Sequence, residues 1–236
     1  VLGVYYLTMD KAGEKGEGKA FSSVDEVALA YDLGHVELHA KIKLPIEITK
    51  GTRKKIELVE TTVGRVLFNE ILPTEVRFVN DALDKKKLKE LVAAVYAKMG
   101  SENTAEIVDR IKEIGFKYAT RSGLTIAIDD ITVPPEKYQI LDRVNAEVNE
   151  VEQQYRRGLI TDEEQYVKTV ELWTEATEQV TVAVAKGMRE SSPIRVMANS
   201  GATKGGFQPI RQLAGMRGLM ADPAGRIIAL PIKSNF

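Results

Sequence analysis

The chain has 236 residues and a mass of 26.1 kDa, the length of one large domain or two small ones. Hydrophobic residues make up 44% and charged residues 28%, enough for a packed core and too apolar for a disordered chain. Thirty-three Lys and Arg face 34 Asp and Glu, so net charge points to neither nucleic acid nor membrane, and the absence of Cys excludes disulfide scaffolds, Cys-ligated zinc and thiol catalysis.

No run reaches the ~18 apolar residues of a membrane helix and no signal segment opens the chain, so a cytoplasmic setting is expected. The chain starts at Val1 without Met, directly in an apolar run, which suggests a piece of something longer. That run, Val1 to Met9, is β-branched and aromatic and predicts a strand, followed by a mobile Gly/Lys/Glu loop over 11–18. Ser23 and Glu26 have capping-box spacing and Gly34 can close the helix they open. From His35 to Leu44 apolar and polar residues alternate strictly, predicting a half-buried strand. Residues 52–72 predict another strand and a short helix, stopped at Pro73.

Leu88, Leu91, Val92, Val95 and Met99 keep helical period up to Gly100, and Ile107, Val108, Ile111 and Ile114 repeat it up to Gly115, an αα-hairpin. Residues 116–133 return to β character, and a domain boundary is placed at Pro134-Pro135. Leu141, Val144, Val148, Val151 and Tyr155 then step by three and four, as do Val170, Trp173, Thr177, Val180 and Val184. Between them stand Gly158 and a capping box of Thr161 and Glu164, so an antiparallel helical hairpin is expected, each arm roughly 30 Å long at ~1.5 Å per residue. Residues 136–190 hold twelve acidic and seven basic residues, and the outer face lacks large apolar groups, so binding there should be polar and salt-sensitive. The last 42 residues reverse the sign, with six basic residues against Asp222, and are Gly-rich.

Few residues suggest chemistry. His35 and His39 on a strand lie about 13 Å apart, too far to share a metal ion, and read as exposed strand histidines. Asp129 and Asp130 point to opposite faces of a strand and read as a turn or cap. Lys85-Lys86-Lys87 reads as a solvated helix start. There is no G-x-S-x-G and no Walker motif, and Gly201 to Gly206 lacks the phosphate-loop order. Arg211 and Arg217 differ: both are permanently charged, and Gly215 and Gly218 let a ligand or a second backbone approach. They fit either polyphosphate contact or surface ion pairs, including pairs to the acidic hairpin.

The string Ser200-Gly201-Ala202, then Ile210-Arg211-Gln212-Leu213-Ala214-Gly215-Met216-Arg217-Gly218-Leu219-Met220, closely resembles the β′ subunit family of bacterial RNA polymerase. Val1 to Thr8, Arg121 to Asp130, Gly158 to Thr161 and Leu172-Trp173-Thr174 agree in order, so the resemblance covers nearly the whole chain. It implies an α+β chain in three parts: a β-rich pore domain with a helical hairpin over 1–133, a rim-helix hairpin over 134–192, and a Gly-rich basic segment over 193–236. Within the last, 214–232 is similar to the F-loop, with Met216, Gly218, Leu219, Met220 and Pro223, which in the family sits beside the bridge helix and trigger loop.

What the resemblance implies for function is a secondary channel through which nucleotides reach a nucleotidyltransferase active site. The family's arginines near the incoming nucleotide map onto Arg211 and Arg217. Coiled-coil transcript-cleavage factors dock on the rim, here at Arg156, Arg157, Glu163, Glu164 and Lys168. Implied partners are the α, β, ω and σ subunits and nucleoside triphosphates, with DNA and RNA met only in the assembled enzyme and no membrane. The Mg²⁺ of the whole enzyme is expected outside this chain, bound before Val1, with no cofactor inside it, so the piece alone should be inactive. Thr203-Lys204-Gly205-Gly206 replaces the family's commoner Arg-Gly, and no arginine role is carried over there. The rival readings are an independent cytosolic adaptor whose hairpin binds a partner coiled coil, and a small phosphate-binding module using Arg211 and Arg217.

Overall fold

The computed structural model describes residues 1–50 and 53–236, with side chains outside 48–54. The chain forms two compact units, residues 1–125 with 196–203, and residues 126–195 with 204–236. The elements are α-helical and β-hairpin, an α+β arrangement with two separate two-stranded antiparallel sheets.

The first unit opens with helix α1, Leu2–Thr8, where a strand was expected. Gly3, Val4, Leu7 and Thr8 are its buried residues, a helical spacing too short to stand out against the β-branched composition. Tertiary contact decides the outcome. A Cβ on Gly3 would stand 1.8 Å from the Gly115 carbonyl oxygen, so α1 lies directly against the backbone of the long helix α4, Lys85–Ser122. Helix α2, Val24–Asp32, is capped as expected, Ser23 Oγ accepting from the Glu26 amide at 3.2 Å, although the Glu26 carboxylate turns to Ser22.

Strands β1, Lys41–Lys50, and β2, Arg53–Thr62, pair antiparallel from Lys41 with Thr62 onward. The strand expected from His35 therefore begins six residues late, because Val36, Leu38, His39 and Ala40 are all buried in a turn that the alternation did not separate from a strand. The expected strand of 52–72 is borne out from Arg53, Thr52 lying outside the described residues. Helix α3, Val63–Glu70, follows without a loop, Thr62 Oγ1 accepting from the Arg65 amide. Arg65 is buried and donates to the Thr8 carbonyl and to Asp10, both at 2.9 Å.

Helix α4 is two helical stretches meeting at Gly100, whose φ of 75° is non-helical, so the two expected helices are present with a one-residue break between them. The second stretch runs on past Gly115 to a left-handed cap at Gly123, overturning the β character expected for 116–133. A short 3₁₀ turn, Ile128–Asp130, follows. Val4, Leu7, Phe68, Leu72, Leu83, Val95 and Ile111 form the larger core of this unit, and Val27, Val36, Ile42, Leu44, Val63 and Val66 a second one.

The second unit is built on helices α5, Glu136–Arg156, and α6, Asp162–Gly187, the antiparallel hairpin that the periodicity predicted. Gly158 turns the chain at φ 71°, and Thr161 with Glu164 forms a reciprocal capping box. Helix α7, Pro193–Asn199, is shared between the two units. Helix α8, Gln208–Ala214, leads into strands β3, Gly218–Ala221, and β4, Ile227–Ile232, an antiparallel hairpin that was not expected. Its signal was present in Asp222-Pro223-Ala224-Gly225: Pro in the second place and Gly in the fourth suit a type I turn, closed by the Gly225 amide on the Asp222 carbonyl at 3.0 Å.

Candidate functional site

Within the second unit, α6 is the platform on which the candidate residues are placed. Its C-terminal half receives α8 and the start of β3. A Cβ on Gly215 would meet Val180 Cγ1 at 2.7 Å, and one on Gly218, at φ 87°, would meet Thr177 Oγ1 at 3.2 Å. The two glycines thus serve close packing against α6, not the approach of a ligand. Met216 between them is fully buried.

Arg211 and Arg217 are brought together. The Arg211 guanidinium donates through Nη2 to the Arg217 carbonyl at 3.4 Å, while its buried Nε has no partner. Arg217 donates through Nε to Met220 Sδ at 3.2 Å and lies 5.0 Å above the Phe236 ring. Among the described residues neither guanidinium is paired with a carboxylate, so ion pairing to the acidic hairpin does not explain them. Guanidinium stays protonated at any working pH, and two such groups held by a carbonyl, a thioether and a ring retain their capacity for an anion.

The chain end beside them is fixed by neutral partners. The Arg217 amide donates to Ser234 O at 3.1 Å, Lys137 Nζ to Asn235 Oδ1 at 3.1 Å, and Lys233 Nζ to Asn145 Oδ1 at 2.6 Å, with Lys233 also 4.9 Å above the Trp173 ring. Lys137 is 4% exposed, and burial pulls its ammonium below the usual lysine range. This concentration of cations was visible in the sequence as a basic tail, but Lys137, on α5, was not associated with it.

At the far end of the hairpin, Arg156 pairs with Glu152 at 2.5 Å one turn back, while Arg157, Glu163 and Lys168 are exposed. Glu164 is committed to the cap. Its carboxylate accepts from the Thr161 amide at 2.8 Å and the Thr161 hydroxyl at 3.1 Å, and these bonds hold its carboxyl below the usual range. The expectation of a wholly polar outer face fails here, since Leu159 is 69% exposed, Val167 45% and Tyr155 40%. Of the remaining residues expected to form an F-loop, Leu219 and Met220 are half-buried in β3 and Pro223 is exposed in the turn.

The histidines and aspartates behave differently from their strand reading. His39 is buried and its ring meets Tyr6 edge-on at 4.8 Å, with Nε2 donating to the Tyr6 carbonyl at 2.6 Å; His35 is exposed. A carbonyl only accepts, so Nε2 carries the proton. Asp130 accepts from the Ala127 amide at 2.9 Å, the cap role expected of it. Among the described residues no group of three or more His, Cys, Asp or Glu could hold a metal ion. Among the described residues no helix is long and apolar enough to cross a membrane.

Residues 1–131 match the family described as RNA polymerase Rpb1, domain 3, and residues 160–236 the family described as RNA polymerase Rpb1, domain 4. The chain belongs to this family of RNA polymerase subunits. Over all 236 residues it is 50% identical to the DNA-directed RNA polymerase subunit beta' of Desulforudis audaxviator and 50% identical to that of Pelotomaculum thermopropionicum. It is 47% identical, over 249 aligned positions, to that of Caldanaerobacter subterraneus subsp. tengcongensis. The whole chain is covered in each case, but it spans only about a fifth of the relatives' length, 20%, 20% and 21%. The resemblance to bacterial β′ subunits therefore holds along the entire sequence.

Proposed function

We propose that this chain is the part of a DNA-directed RNA polymerase β′ subunit that borders the secondary channel, serving nucleotide access, nucleotide positioning and factor docking during transcription in the cytoplasm. The observation that carries the reading is the Arg211–Arg217 pair: the Arg211 guanidinium reaches the Arg217 carbonyl at 3.4 Å, and among the described residues neither guanidinium has a carboxylate partner. A polyphosphate offers the oxygens such forks bind in pairs. Their backbone comes from α8 and the start of β3, both packed on α6, so the two forks are held by rigid elements. The metal chemistry of nucleotidyl transfer is assigned to parts of the subunit outside this chain, and the isolated piece is read as inactive. The 214–232 segment takes the F-loop role, and the hairpin end with Arg156, Arg157, Glu163, Glu164 and Lys168 takes the docking role for coiled-coil cleavage factors. The remaining polymerase subunits cover further surface.

The experiment is nucleotide addition by the assembled polymerase at subsaturating triphosphate. Replacing Arg217 by Lys keeps the charge and removes the planar fork, so the rate should drop several-fold. Arg211→Lys should drop it less, because its Nη2 is already engaged by the Arg217 carbonyl. Wild-type rates in both variants, with an unchanged thermal midpoint, would reduce these arginines to surface charges.

A further inference from the structure

The β3–β4 hairpin is a two-stranded ribbon, and such ribbons are marginal on their own in water. Its base is held firmly. Gly218 sits on Thr177, Pro231 is buried, and Lys233 reaches Trp173 and Asn145. Its turn end is not packed: Ala221, Pro223, Ala224, Ile227 and Ile228 are all exposed. That end is nevertheless tied to α6 by Tyr166. The tyrosine hydroxyl donates to the Ile227 carbonyl at 2.8 Å, and the Arg226 guanidinium covers its ring at 4.7 Å. Two contacts, from Arg226 just before β4 and from Ile227 at its start, converge on one side chain.

The placement of Tyr166 along α6 gives the contact a purpose. It lies eleven positions before Thr177, about 16 Å along the helix at ~1.5 Å per residue, so base and turn are pinned at two separated points. A ribbon held at one point can swing, whereas a second point fixes its angle. Arg226 is held from its other side as well, its amide donating to Asp222 Oδ1 at 2.8 Å and its carbonyl accepting from the Asp222 amide at 2.8 Å. The turn is therefore a rigid unit that moves with whatever holds Arg226 and Ile227.

We propose that Tyr166 is a positioning residue that fixes the angle of the β3–β4 hairpin, and through it the Arg217 fork at the hairpin's base, by latching Ile227 and Arg226 to α6. This rests on the reading of Arg211 and Arg217 as nucleotide-positioning groups. Tyr166 touches no substrate in this scheme and acts through the ribbon alone.

The test uses the assembled polymerase carrying Tyr166→Phe, which keeps the ring and loses the hydroxyl, Arg226→Ala, which loses the cation, and the double variant. Hydrogen exchange of the 218–232 amides reports the latch directly. It should rise several-fold in each single variant, and the double should add little to the larger single effect, since both act on one contact. Nucleotide addition should show kcat reduced several-fold with KM nearly unchanged, and Arg226→Lys should restore much of the Arg226→Ala loss. Wild-type exchange in Tyr166→Phe and Arg226→Ala would overturn the latch. Raised exchange with wild-type kcat, while Arg217→Lys is still defective, would leave Tyr166 a structural contact and sink the positioning role alone. A silent Arg217→Lys would instead remove the nucleotide reading and the positioning role together, whatever the exchange shows.

Discussion

His39 and Glu164 make the stability of this chain depend on pH in two separate windows. Burial is the larger influence on His39 and holds its imidazole below the ordinary value of 6.5, against the opposing effect of the Tyr6 carbonyl. A group whose folded pKa is depressed binds its proton more readily in the unfolded chain, so stability is intact above pH 6.5 and falls as pH drops toward the folded value. Glu164 follows the same sign lower down: its cap is intact above the ordinary carboxyl value of 4.5 and is lost as acid protonates it. The thermal midpoint of the chain should therefore decline below about pH 6.5. His39→Gln, whose amide can still donate to Tyr6 O, should flatten the upper window, and Glu164→Gln should reduce only the lower one, which Glu26 and Glu37 share. An unchanged upper slope in His39→Gln would remove His39 as its source. His39 shows where the sequence misled: strict alternation from 35 to 44 looks like a strand, but the Tyr6 carbonyl gives His39 a partner thirty-three positions away.

At the scale of elements, legibility followed locality. The α5–α6 hairpin, its Gly158 turn and its capping box are specified by residues within a few positions of one another, and they formed as the sequence predicted. Helix α1 and the late start of β1 depend on distant backbone, α1 on Gly115 and the turn before β1 on the Gly64 and Val63 amides, which donate to the Leu38 and Ala40 carbonyls, and no local pattern carries this. The candidate arginines were legible as a pair; Tyr166 and Lys137 were not, because their partners lie 61 and 98 positions along the chain. The glycines at these junctions offer a contrast that can be measured. A Cβ on Gly64 would stand 1.9 Å from the Leu7 carbonyl oxygen, backbone that cannot yield without moving α1. Gly64→Ala should destabilise by at least the ~1–3 kcal/mol of an overpacked core, seen as a clear drop in thermal midpoint. Gly187, at the end of α6, has only Pro134 Cβ at 3.9 Å, ordinary contact, and no positive φ. Gly187→Ala should leave the midpoint unchanged or raise it by the effect of up to ~1 kcal/mol that favours alanine in helices. Equal losses in both variants would mean that the close approach of α1 to α3 has no energetic weight.

Across the whole molecule, charge is segregated rather than absent: a near-neutral total hides an acidic hairpin and a basic tail. That arrangement favours long-range attraction of charged partners, but the hairpin end adds a second element, the exposed Leu159 with Tyr155 and Val167 near it. On the proposed docking role, binding there would have a charged part and an apolar part, and salt separates them. Exposed charges are screened within ~10 Å at 0.1 M salt and ~3 Å at 1 M, whereas apolar burial does not weaken with added salt. Glu163→Lys should therefore weaken binding of a coiled-coil cleavage factor to the assembled polymerase most at low salt, the defect shrinking as salt rises. Leu159→Ser should weaken it by roughly 5- to 30-fold, the ~1–2 kcal/mol of burying the exposed part of one leucine, and by the same factor at every salt concentration. Glu163 is the cleaner charge to reverse, since Glu164 holds the Thr161 cap and its replacement would also fray the helix. Binding that is indifferent to both substitutions would place the factor elsewhere on the enzyme. Binding sensitive to Glu163 alone, and abolished by salt, would make the exposed leucine a bystander and the surface purely electrostatic.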